Sequence, residues 1–159
     1  MVYAVKGFDG ASFPLDNPLQ VPAHRYSCRV LASGKEAVRT TPKFERGRLL
    51  GDVVFVSGTA AIKGEDSEFS EDTRVQALGA IDVAEHLVAP SNISPDCSAF
   101  RFGYLRVYVR RPQDLEPVRE MFISHFKDTP IHFLQADICR PELLLELEGV
   151  GRALPFLRP

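Results

Sequence analysis

Tryptophan is absent from this 159-residue sequence, methionine occurs twice and cysteine three times. The cysteines (Cys28, Cys97 and Cys139) are odd in number and have no C-x-x-C spacing. That argues against a disulfide framework and against a zinc site, and it fits a reducing, cytoplasmic setting. No apolar run is long enough to span a bilayer. The N-terminal MVYAVKGFDG lacks the apolar core and cleavage site of a signal peptide. A basic excess is missing as well. With a net charge of −2 there is no electrostatic footprint for nucleic acid, and no aromatic-plus-basic platform for RNA. Internal repeats and low-complexity segments are absent.

What is present is an ordinary globular composition, 45% hydrophobic and 25% charged, on a chain long enough for one core. The expected organisation is an irregular N-terminal arm with short strands over 1–43, a main domain over 44–152, and a tail over 153–159. Pro14, Pro18, Pro22 and Pro42 break the arm, with room for one strand at His24–Ala32. Val53–Ile62 is rich in β-branched and aromatic residues and reads as a strand. Inside it, Ser57-Gly58-Thr59 marks a bulge, a close backbone approach to a ligand, or a simple kink. Lys63–Phe69 is polar and reads as a loop.

Ser70 can cap a helix whose first turn holds Glu71 and Asp72. Apolar residues at Val75, Leu78, Ile81, Val83–Ala84 and Leu87–Val88 then predict a helix over Glu71–Val88, stopped by Pro90. Phe100–Arg110 alternates as a strand with a change of phase near Gly103, the mark of a bulge. Pro112 opens a second helix, with Leu115, Val118, Phe122 and Phe126 as its apolar stripe. Strands and helices mixed in this order predict an α+β two-layer sandwich, a mixed sheet backed by two helices.

The chemistry concentrates in Leu134–Gly149, LQADICRPELLLELEG. Two strands, Leu134–Ile138 and Leu143–Glu148, joined by a tight turn at Arg140–Glu142, would bring Cys139, Arg140 and Glu146 to one pocket. Alternation sets Leu143, Leu145 and Leu147 on one face and Leu144, Glu146 and Glu148 on the other. The leucine face needs a helix. The acidic face needs water, a partner charge or a ligand, and a sheet with one wet side would also account for it.

The segments VSGTAAIKG, YLRVYVRRPQDLEPVREMF and LQADICRPELLLELEG, with Asp72 and Gln76 between them, resemble the YjgF/RidA superfamily over about residues 44–150. Within it, FERGR, VSGTA-I-G, VYVR and above all DICR-x-x-LL-x-E-x-EG resemble the chorismatases. The imine deaminases of the superfamily carry an Arg just after the position of Thr129-Pro130. Here Ile131, His132 and Phe133 stand there. The resemblance implies a homotrimer with clefts between subunits, no cofactor and no metal, and a small carboxylate substrate, with neither nucleic acid nor membrane as partner. It implies Glu146 as the acid that protonates the enolpyruvyl group of chorismate. It also implies Cys139 as the position separating the 3-hydroxybenzoate-forming branch from the diol-forming one. Full-length chorismatases are longer, and their N-terminal half contributes to the pocket.

Independent reasoning leads to the same acid. An enol ether becomes labile when its methylene carbon is protonated, which calls for a carboxylic acid whose pKa burial has raised. A carboxylate substrate calls for guanidinium partners; Arg110 and Arg140 are the candidates, with Gly58 and Thr59 offering close backbone approach and a hydroxyl. Three functions follow as expectations: a chorismatase-like lyase or hydrolase, an enamine or imine deaminase, or a non-catalytic ligand-binding trimer.

Overall fold

The computed structural model describes residues 6–27, 41–68 and 71–156. In chain order these form β1 (Ser12–Leu15), β2 (Gly47–Leu50), β3 (Val53–Thr59), β4 (Ile62–Lys63), β5 (Asp66–Ser67), α1 (Thr73–Leu87), α2 (Pro90–Ile93), β6 (Cys97–Val109), α3 (Leu115–His125), β7 (Ile131–Gln135) and β8 (Leu145–Pro155). Six strands make one mixed sheet in the order β1-β2-β3-β8-β6-β7, and β4 and β5 form a separate small hairpin. α1 and α3 cover one face, so the expected α+β two-layer arrangement is present. No helix among the described residues is long and apolar enough to cross a membrane.

The leucine face of β8 behaves as its alternation requires. Leu145 and Leu147 are fully buried against Ala77, Ala80 and Ile81 of α1 and Val118 and Phe122 of α3. Leu143 is equally buried, but in a smaller cluster with Ala60, Ile62 and Ile138. Fully burying one such side chain stabilises by about 1.5–3 kcal/mol, so Leu145 and Leu147 secure β8 in the middle of the sheet and Leu143 anchors the link that leads into it.

The hairpin expected around Arg140–Glu142 does not form. β7 pairs in parallel with β6, and β8 runs antiparallel between β6 and β3. β6 is 13 residues long and offers two edges; β8 takes one along nearly its whole length and β7 takes the other. The link 136–144 therefore crosses the end of β6 instead of turning back on itself.

Helix α1 corrects two further expectations. Its cap is Asp72, whose carboxylate accepts from the Arg74 N–H at 2.8 Å; the expected cap, Ser70, lies outside the described residues. Val75 and Leu78 are 53% and 59% exposed. The rest of the expected stripe, Ile81, Val83–Ala84 and Leu87–Val88, is buried, and near its start the helix turns Ala77 and Ala80 to the sheet in place of Val75 and Leu78, because small side chains let the two layers approach closely. Pro90 does not merely stop α1 but opens α2 as its first residue. Pro112 opens a single 3-10 turn, and α3 proper starts at Leu115. The segment read as a polar loop, Lys63–Phe69, contains all of β5 and the second residue of β4. Of the arm strand expected at His24–Ala32, His24 and Arg25 sit in a 3-10 turn, and residues 28–32 lie outside the described residues.

Two irregularities fall where the glycines predicted them. The β3–β8 register shifts between Val56 and Thr59, around Gly58. The β6–β8 register shifts between Phe102 and Tyr104, around Gly103.

Candidate active site

Glu146 stands on the helix-free face of the sheet, paired across β8 and β6 with Tyr108. On its other side β3 supplies Gly58. A Cβ built on Gly58 would overlap the Glu146 carboxyl group, both oxygens and the carbon between them. The carboxyl therefore lies flat against the β3 backbone at the point where its register breaks. Desolvation there, and next the charge of Glu148, raise the Glu146 pKa above the ordinary carboxylate value. That is the environment a general acid needs.

Glu148, two residues on, is not a solvated residue of a wet face. It is 4% exposed, accepts a 2.6 Å hydrogen bond from the Tyr108 hydroxyl, and forms a 3.0 Å ion pair with Arg106. Burial first, and then the bond to Glu148, push the Tyr108 hydroxyl up to about 12, so it remains a proton donor. Alternation places Tyr108 and Arg106 on this face, but nothing local in the sequence shows that they close over Glu148.

The link 136–144 carries Cys139 and Arg140. Cys139 is exposed at its rim. The packing that does surround its sulfur, and then the nearby Glu146 charge, raise its pKa, while Arg140 opposes them. Cys139 and Glu146 are thus electrostatic neighbours. Arg140 reaches the other way, donating to the Glu65 carbonyl at 2.9 Å and the Ser67 hydroxyl at 3.0 Å, with its guanidinium 5.3 Å from the centre of the Tyr26 ring. It joins the link to the β4–β5 hairpin and the arm. Arg110 donates to the carbonyls of Ile138, Arg140 and Pro141 at 2.7–2.9 Å. In this geometry its guanidinium supports the link's backbone. Thr59 is buried and its hydroxyl donates to the Ser57 carbonyl at 2.8 Å, beneath the Gly58 bend.

Two polar side chains missed as site residues hold the frame. Gln76 of α1 is 1% exposed. Its amide donates to the Glu142 carbonyl and accepts from the Leu144 N–H, both at 2.8 Å, in the way a neighbouring strand would. Its place in the family resemblance and on the first helix pointed to it, but not to the link it holds. Arg46, within FERGR, is buried, donates to the Val21 carbonyl at 3.1 Å and to the Tyr26 hydroxyl, and stacks between Tyr26 and Phe44. Its carbonyl accepts from the Ser57 N–H at 3.0 Å, one residue before Gly58. Arg46 also borders a cavity of about 240 Å³ at the arm, with Pro14, Pro22, His24 and Phe44.

Replacing Gln76 by Leu keeps the volume but leaves a half-buried carbonyl and a buried N–H without partners. At about 1–3 kcal/mol per group, a loss of roughly 2–6 kcal/mol is expected, read as a lower denaturation midpoint with unchanged slope. A loss below half a kcal/mol would mean that water or a shifted link satisfies both groups.

Comparison with solved structures sets this geometry among known proteins. Yeast Mmf1 superposes with a TM-score of 0.65 over 91% of this chain and all of that one, at 14% identity. E. coli TdcF with bound serine gives 0.57 over 79% of this chain and 95% of that one, at 18% identity. A chorismatase crystal structure gives 0.73 at 27% identity, over 89% of this chain and 44% of that one. In sequence, the 3-hydroxybenzoate synthase of Streptomyces hygroscopicus is 34% identical over 89% of this chain. A chorismatase of Streptomyces rapamycinicus is 29% identical over 93%. The matched portions are 44% and 46% of those two proteins, so the chain spans under half their length. No family model matches the chain. The fold is the one that proteins of the YjgF family share. In sequence the chain is similar to the chorismatase branch of that superfamily over about nine-tenths of its length.

Proposed function

We propose that this chain converts chorismate or a closely related enol ether, with Glu146 as the general acid. The observation that carries the reading is the Glu146 carboxyl, pressed against Gly58 with its pKa raised by desolvation. The similarity to a 3-hydroxybenzoate synthase and to chorismatases supports the substrate class. Glu146 delivers its proton to the terminal methylene carbon of the enolpyruvyl group, leaving an oxocarbenium ion. Water adds to that ion and returns a proton to Glu146. In the hemiketal so formed the bond between the former enolpyruvyl carbon and the bridging oxygen breaks; the hydroxyl loses its proton to become the pyruvate carbonyl, and the bridging oxygen takes up a proton and stays on the ring as its alcohol. Cys139 stands beside Glu146, and Arg140, bonded to the β4–β5 hairpin, contributes positive charge at the rim of the site. The working unit is a homotrimer that packs through the helix-free face, where Phe55, Tyr104 and Val150 are only half-buried in the single chain.

The test is incubation with chorismate and enzymatic detection of pyruvate, beside an ammonia assay with an imine-generating system. Stoichiometric pyruvate is expected. Ammonia release without pyruvate, or saturable chorismate binding without turnover, would replace this reading.

A further inference from the structure

Among the described residues Glu148 is the one Asp or Glu in the buried class, and the reaction above assigns it no step. Burying a carboxylate carries a desolvation penalty of several kcal/mol that a charge partner and hydrogen bonds offset only in good geometry. Here Arg106 and Tyr108 supply both. A glutamine would accept the same Tyr108 hydrogen bond without the charge. The charge itself therefore calls for a reason.

Strand geometry gives one. Residues two apart on a strand share a face and lie roughly 7 Å apart, so Glu148 is a fixed negative charge beside the Glu146 carboxyl. Its ion-pair partner Arg106 is opposite Glu148 and diagonal to Glu146, so it offsets that charge only in part. The other groups facing Glu146 do not replace this effect. β6 presents Tyr108, which is neutral with its pKa near 12, and β3 presents the uncharged Gly58. β7 places His132 opposite Arg106 and Leu134 opposite Tyr108. From the link, Cys139 is a protonated thiol, Glu142 accepts from the Ser67 hydroxyl, and Arg140 is turned to the β4–β5 hairpin.

We propose that Glu148, ion-paired with Arg106 and hydrogen-bonded by Tyr108, is a positioning residue that keeps the neighbouring Glu146 carboxyl in its proton-bearing form. The link to catalysis rests on the reading of Glu146 as the acid, but the charge coupling does not. The experiment is a ¹³C NMR titration of the Glu146 carboxyl in the intact chain, in wild type, Glu148→Gln, and Arg106→Gln/Glu148→Gln. Glu148→Gln keeps the Tyr108 hydrogen bond, and it is expected to lower the Glu146 midpoint by about half to one and a half pH units. The double variant should stay below wild type, because Glu148 shares the strand and face of Glu146 whereas Arg106 stands on the next strand and diagonal to it. The fall of kcat with rising pH should move down in step with the midpoint, with little change in KM. An unchanged midpoint in Glu148→Gln, or a wild-type midpoint in the double variant, overturns the proposal; the latter would trace the drop to an unpaired Arg106. A lowered midpoint in a protein that releases no pyruvate would uphold the coupling and sink the assignment of Glu146 as the acid.

Discussion

Glu146→Gln is expected to lower pyruvate release from chorismate by roughly 10²- to 10⁴-fold, the usual contribution of a positioned general acid. The amide is nearly isosteric and cannot deliver the proton. Loss of fold would not explain the effect, and the linkage sign shows why. The Glu146 pKa is higher in the folded chain than its ordinary value, so the folded state holds the proton more tightly than the unfolded one. That contribution to stability is fully present below the unfolded pKa and is lost as pH rises through the folded pKa. At neutral pH wild type therefore carries a desolvated carboxyl that the glutamine variant lacks. The variant should unfold at the same temperature or higher near pH 7, and its advantage should shrink in acid. Retained pyruvate release would remove Glu146 from the mechanism. Lost activity with a much lower melting temperature would show that the residue is structural.

Gly58→Ala should separate stability from activity in the same direction. The glycine has no positive φ, so alanine adds no backbone strain. What a new methyl group meets is the end of the Glu146 side chain, which is flexible and can swing aside. The stability cost is therefore small. The carboxyl, however, is displaced by an ångström or more from its place against β3, and misplacement on that scale costs about 10²-fold in rate. The expected result is a near-normal melting temperature with kcat reduced by roughly that factor. Gly58→Val should do more, since its branches reach further into the space of the carboxyl. Equal activity in the alanine variant would mean that the carboxyl works from a position away from β3.

Much of the frame could be read from local patterns. The period-two alternation of LLLELE placed Leu145 and Leu147 against the helices and Glu146 opposite them, because a pleated strand has only two sides. The glycines in VSGT and FRFGY marked the two register shifts for an equally local reason. The later part of the α1 stripe, Ile81, Val83–Ala84 and Leu87–Val88, was read correctly, but its first two members were not. Hydrophobicity favoured Val75 and Leu78, whereas close packing on the sheet favoured alanine. Arg110 was legible as a cation at a strand end, but not as the donor to three carbonyls of the link, since those carbonyls approach it only when 136–144 crosses β6.

By itself the sequence determined the main strands and helices and the two faces of β8, all consequences of backbone periodicity over a few residues. The tertiary structure alone decided strand order, and with it that β8 lies between β3 and β6. Only that placement puts Gly58 against the Glu146 carboxyl and lets Tyr108 and Arg106 close over Glu148. Which strand pairs with which depends on burying surfaces far apart in the chain, and no window of neighbouring residues carries that information.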